Sequence, residues 1–159
     1  YLFLNLGAFA VVALLRDAMH SEEIADYAGL LRRCPGVAIC FAVILLSLIG
    51  LPPLSGFLGK FAVFAALTDA FRATGKAYLM GLLLVGGLNT AVSLFYYLRI
   101  VRLMTMTPEP EGRTPFSLPM ASLPGLYLLL VTLPTALLLL GWEYLSALAL
   151  AAAGSLFVG

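Results

Sequence analysis

Charge is scarce in this 159-residue chain: Asp, Glu, Lys and Arg make up 11% of it, against 62% hydrophobic residues and a mean hydropathy of +1.05. A soluble globular domain carries roughly 25% charged residues, so an ordinary water-soluble fold is excluded. Nine basic against eight acidic residues leave a net charge of +1, too balanced for electrostatic binding of nucleic acid. One histidine and eight acids offer little from which to build a metal centre or a nucleophile–base pair. The two cysteines, Cys34 and Cys40, match neither a CxxC pair nor a metal-ligand spacing, and read as small apolar packing residues. No glycine-rich phosphate loop is present, so no cofactor-binding signature is found. The opening residues, Tyr1-Leu-Phe-Leu-Asn5, lack the basic start of a signal peptide and already lie inside an apolar run. The class left standing is an all-α polytopic membrane protein, expected to be a piece of a longer one.

Charges and prolines divide the chain into four apolar blocks. The first, 1–15, covers about 22 Å as helix, short of a ~30 Å hydrocarbon core, and so predicts a truncated span. Ser21-Glu22-Glu23 reads as a capped helix start, predicting an interfacial helix over 21–31. The second block, 36–71, contains Gly50-Leu-Pro-Pro-Leu-Ser-Gly56, and adjacent Pro52 and Pro53 cannot sit inside a regular helix. Two half-helices meeting at a break near 50–56, together forming one span, are predicted. The third span is placed at 77–101. Along it Gly86, Asn89 or Thr90, Ser93 and Tyr97 recur at spacings of three and four, a polar face that must turn to protein or water. The fourth is placed at 123–141, with a kink at Pro134 and an interfacial Trp142-Glu143-Tyr144, followed by an apolar tail over 142–159. Four spans in all are predicted. Arg16, Arg32, Arg33, Arg99, Arg102 and Arg113 fall on one side, against Arg72 and Lys76 on the other, which places the first and third loops on the cytoplasmic face.

Lys60 is the one charge between Arg33 and Asp69. A lysine deep in a bilayer costs at least ~2.5–3.5 kcal/mol on insertion scales, so it normally faces an interior cavity and serves an ion path. Snorkelling suits a lysine near a span's end, whereas Lys60 stands beside the break. Free carbonyls at the end of the first half-helix favour a cation, while burial and the amide end of the second half disfavour one. A group balanced between these terms changes protonation readily. Gly56 and Gly59 are expected to leave room for water beside it. The predicted site is therefore Lys60 as proton relay, supported at the break by Gly50, Pro52, Pro53, Ser55, Gly56 and Gly59, with Asn89, Ser93 and Tyr97 lining a polar path. His20, Asp69 with Arg72, and Glu143 read as solvated or interfacial charges.

Tyr1 to Val12, Asp26-Tyr-Ala-Gly-Leu30, Leu46-Ser-Leu-Ile-Gly-Leu-Pro-Pro-Leu-Ser-Gly-Phe-Leu-Gly-Lys-Phe61 and Tyr96-Tyr-Leu-Arg99 follow one another in that order. Together they resemble the C-terminal third of the N-type, antiporter-like membrane subunits of proton-pumping NADH:quinone oxidoreductase, respiratory complex I. The resemblance covers most of residues 1–104 and implies that Lys60, in its Gly-Phe-x-Gly-Lys-Phe context, is the family's lysine on a discontinuous helix. It further implies a translocating subunit without a redox site of its own. NADH, FMN, Fe-S clusters and quinone would then sit on partner subunits, and the partners would be other membrane-arm subunits, the lipid bilayer and protons. The expected location is a bacterial inner (plasma) membrane or an equivalent energy-transducing membrane. Phe61 after Lys60 favours the N-type over its sisters. Mrp-type cation/proton antiporters, which share Pro-Pro-Leu-Ser-Gly-Phe, are the alternative, and a non-transporting membrane scaffold is a third reading.

Overall fold

The computed structural model describes residues 1–52, 54–109, 118–137 and 141–156. Among the described residues the fold is wholly helical: α1 (Leu2–Met19), a 3-10 turn (Ile24–Tyr27), α2 (Leu30–Arg33), α3 (Pro35–Ile49), α4 (Ser55–Thr74), α5 (Ala77–Met106), α6 (Leu123–Leu137) and α7 (Trp142–Leu156). By length and composition α1 and α5 are candidate membrane spans, and α3 and α6 are shorter apolar helices.

Several helices outrun the apolar blocks that announce them. Helix α1 continues through Arg16 and Asp17 to Met19, and α5 continues past Arg99 and Arg102 to Met106. A charge ends an apolar run, but it does not interrupt backbone hydrogen bonding. With eighteen residues α1 reaches about 27 Å, longer than the fifteen-residue estimate allowed. Helix α5 stops where Pro108 forces its predecessor Thr107 into extended backbone. Helix α4 is likewise longer than expected, with twenty residues, although Lys60, Asp69 and Arg72 interrupt its apolar character. The tail forms α7 through Leu156; its last three residues, and Pro110 to Ser117 of the preceding loop, lie outside the described residues.

The interfacial helix over 21–31 is not continuous. Gly29 adopts a left-handed backbone (φ 73°) pressed against Glu109, and it divides the segment into the 3-10 turn and α2. Ser21 does not cap a helix there; its hydroxyl accepts the Glu23 N–H at 3.2 Å and donates to the Asp26 carboxylate. Arg33, almost fully buried, pairs with Glu109 at 2.7 Å and ties this segment to the end of α5. Burial holds the Tyr27 phenol above its ordinary pKa range, so it stays neutral in the same corner.

Helix α3 is the hub. It packs against α1, α2, α4, α5 and α6, and eight of its fifteen residues are buried. Val11 and Leu15 of α1, Val37, Phe41 and Leu45 of α3, Ile100 and Met104 of α5, and Leu128 of α6 close one apolar core with Tyr27 and Leu30. Gly7 permits a close approach of α1 to α3 and α6: a methyl there would meet Ile44 Cδ1 at 2.7 Å and Val131 Cγ1 at 3.2 Å. The core therefore lies toward one end of the bundle. Most of α5 outside that end has its apolar side chains exposed, including Leu84, Leu88, Val92 and Phe95.

Candidate functional site

The chain leaves helix between Ile49 and Ser55, and the backbone polar groups at that interruption define the site. Gly50 takes a left-handed conformation (φ 88°) that favours glycine. Its N–H donates to the Ser47 carbonyl at 3.0 Å, and the Leu51 N–H donates to the Leu46 carbonyl at 3.2 Å, the two bonds of a Schellman ending. A helix end leaves four carbonyls without continuing partners. Leu46 and Ser47 are thus served by backbone, while Leu48 and Ile49 are not.

Lys60 serves those two. Its Nζ donates to the Leu48 carbonyl at 3.0 Å and to the Ile49 carbonyl at 2.8 Å. The stem runs back from the second turn of α4, as helical side chains do, and lies over Gly50. A Cβ at Gly50 would come within 3.0 Å of Lys60 Cδ, so glycine here also admits the lysine. The positive end group meets the negative end of α3, an arrangement that both the carbonyl lone pairs and the helix dipole favour.

Beside the ammonium lies an open polar cavity of about 330 Å³, lined by Lys60, Asn5, Asn89, Thr90, Ser93 and Tyr97 among others. The polar face expected along the third span therefore does meet Lys60 in space. The hydroxyls of Thr90 and Ser93 donate to the Gly86 and Asn89 carbonyls at 2.9 and 2.8 Å. Their protons are engaged within α5, so these hydroxyl oxygens can only accept from whatever fills the cavity. Water donating to them is the simplest complement.

The lysine's valence suits proton exchange. An ammonium carries three N–H donors, of which two hold carbonyls and one remains. A neutral amine carries two N–H donors and a lone pair. Both carbonyl bonds therefore survive loss of the proton, and only the third position changes from donor to acceptor.

The other predicted residues divide. Ser55 sits at the start of α4, with its hydroxyl 3.4 Å from that of Ser47. Pro52 forms an exposed turn, and Pro53 lies outside the described residues. Gly56 and Gly59 do not line the cavity beside Lys60. They line a separate cavity of about 180 Å³ with Tyr1, Leu4, Ser55, Leu58 and Leu145. Gly56 is buried against the Ser47 backbone carbonyl, with which an added methyl would collide, and Gly59 faces nothing within 4 Å. Gly56 shares the α3-facing side of α4 with the lysine stem, but the space next to it is taken by the Ser47 backbone. Ser47 at the interruption, and Asn5 and Tyr1 in the lining of the Lys60 cavity, join the site without being among the expected residues. The available signals were a lone serine just before the proline pair and the only amide in the first apolar run.

Residues 1–82 match the family model described as NADH:quinone oxidoreductase/Mrp antiporter, TM. The chain is similar to "NADH-quinone oxidoreductase subunit N" of Anaeromyxobacter sp. (strain Fw109-5), 47% identical over 104 residues, 65% of this chain and 20% of that protein. It is 43% identical over 143 residues to "NADH-quinone oxidoreductase subunit N 2" of Sorangium cellulosum (strain So ce56), 89% of this chain and 27% of that protein. A chloroplast protein of Nephroselmis olivacea, "NAD(P)H-quinone oxidoreductase subunit 2", is 43% identical over 111 residues, 70% of this chain and 21% of that one. The chain thus spans between a fifth and somewhat over a quarter of the length of these relatives.

Proposed function

We propose a proton-relaying function for this chain, which belongs to the NADH:quinone oxidoreductase/Mrp antiporter transmembrane family. The chain is part of an N-type membrane-arm subunit of NADH:quinone oxidoreductase, and Lys60 passes protons between the helix interruption and the polar cavity beside α5. The observation that carries this reading is the two-carbonyl hold on Lys60 Nζ, which leaves one position of the nitrogen for exchange. Lys60 loses or gains its proton there, through water donating to Thr90 and Ser93. Asn5, Asn89 and Tyr97 complete the polar lining. The names of the relatives favour the N-type over the Mrp-type reading.

The same reading assigns four passes: α1, α3 and α4 together as one discontinuous pass, α5, and α6. Helix α3 alone reaches about 22 Å, too short to cross, and the apolar part of α4 ends at Asp69. The interruption then lies at depth, where orphaned carbonyls need a partner such as Lys60. NADH oxidation and quinone reduction, with their FMN and Fe-S groups, belong to partner subunits of the same complex. The membrane is an energy-transducing one, a bacterial inner (plasma) membrane or its equivalent.

The test is Lys60→Ala in the full-length subunit within its assembled complex, scored by the proton-to-electron ratio and by quinone reductase turnover. Assembly is expected to survive and both readings to fall. Assembly with a wild-type ratio overturns the relay and leaves Lys60 as a helix-end cap. Assembly lost in Lys60→Ala but retained with full pumping in Lys60→Met, which keeps the stem, has the same consequence.

A further inference from the structure

Ser47 uses its hydroxyl across helices, whereas most helical hydroxyls bond within their own helix. Thr68, Thr74, Thr90, Ser93 and Thr105 each donate to the carbonyl four residues back, the ordinary habit of a serine or threonine in a helix. Ser47 is fully buried, and its Oγ turns to the next helix, where it accepts the Gly56 N–H at 3.1 Å. Helix α4 needs that acceptor, because its N-cap residue is Leu54, whose side chain cannot cap. The cap is supplied from across the interruption. The glycine receiving it is pressed onto Ser47's own carbonyl, so the two backbones meet at this point.

The consequence falls on Lys60. Gly56 and Lys60 are four apart in α4, one turn along the same face, and Leu48 and Ile49 directly follow Ser47. The Ser47–Gly56 contact and the Lys60–carbonyl bonds are therefore adjacent rungs of one joint. We propose that Ser47 is a positioning residue for Lys60: by capping α4 through Gly56 it sets the register at which the Leu48 and Ile49 carbonyls receive the lysine. Its effect on proton transfer rests on the relay function proposed above; its effect on the placement of Lys60 does not.

The experiment compares Ser47→Ala and the near-isosteric Ser47→Cys, a weaker acceptor, in the full-length subunit within its complex. Brief acylation by acetic anhydride, read by mass spectrometry, reports the Lys60 amine, with exposed Lys76 as internal reference. Losing the joint is expected to raise the Lys60-to-Lys76 labelling ratio about tenfold, the loss of a hydrogen bond to a charged group. Leu45→Ala, which loosens α3 in the core, is the control and is expected to leave the ratio where it is. A ratio unchanged in whichever Ser47 variants assemble overturns the proposal, as does an equal rise in Leu45→Ala. Ser47→Ala should also lower pumping in the wild-type background and add nothing to Lys60→Ala. An added loss there overturns the claim that Ser47 acts through Lys60. If Lys60→Ala pumps normally while the Ser47 variants still raise the ratio, the relay fails and the positioning role stands.

Discussion

The two helices flanking the interruption are built differently. Helix α3 buries Val37, Ala38, Cys40, Phe41, Ile44, Leu45, Ser47 and Ile49, whereas α4, five residues longer, buries only Gly56. Side chains such as Phe61 and Val63 of α4 stand well exposed. Apolar character therefore does not by itself place a helix in a core, since a lipid-facing or partner-facing helix needs it equally. Helix α3 is held along its length. Helix α4 is held at one end, through the Ser47–Gly56 contact and the Lys60 bonds, and along one side by α5. A cation placed at such a joint is positioned by a rigid helix and carried by a less encumbered one.

That contrast can be broken by substitution, and the largest effect is expected at the joint's charge. Lys60→Arg should lower proton pumping in the assembled complex about tenfold or more, because guanidinium does not release its proton near neutral pH. Lys60→Glu should retain more activity than Lys60→Arg, since a carboxylate exchanges a proton. Pumping rates in proteoliposomes, normalised to assembled complex, decide the order.

In the rigid helix, Ile44→Ala should cost about 2–5 kcal/mol, the ordinary penalty for a fully buried aliphatic side chain. Denaturation of the purified full-length subunit in detergent measures it. At the contact itself, Gly56→Ala should cost about 1–3 kcal/mol, because its methyl meets a backbone carbonyl that cannot rotate away. In the exposed flank of α4, Phe61→Ala should change the same measurement by less than about 0.5 kcal/mol. Equal costs at Ile44 and Phe61 would erase the distinction between the two helices.

The polar face of α5 sharpens the comparison further. Spin labels at Asn89 and Ser93 in the complex should report water or protein, and labels at Leu84 and Leu88 a more apolar surrounding. Lipid contact at Asn89 or Ser93 would remove the cavity from any proton path.

Much of this is legible in the residues themselves. Pro52 and Pro53 deny amides to a helix, Lys60 stands alone in a long apolar stretch, and Gly86 to Tyr97 trace a polar face. These are local facts, set by backbone chemistry and by the 3.6-residue repeat. Helix ends were less legible, because charge marks where a chain leaves lipid while proline and left-handed glycine mark where hydrogen bonding stops. The segment 21–31 shows the difference: a serine cap and acids announce a helix, and Gly29, pressed on Glu109, divides it.

The sequence by itself determined that the chain is helical and apolar, that a cation stands beside proline-rich backbone, and that a polar helix face needs partners. Tertiary structure alone decided that the carbonyls receiving Lys60 are those of Leu48 and Ile49, that Ser47 caps a helix to which it does not belong, and that Asn5 joins the cavity from α1. It also decided that Gly56 makes a close backbone contact with Ser47. The physical reason is range. Propensity, dipole and periodicity act within a few residues, whereas each of these contacts depends on how one helix is rotated and offset against another, which is set by close packing over the whole bundle.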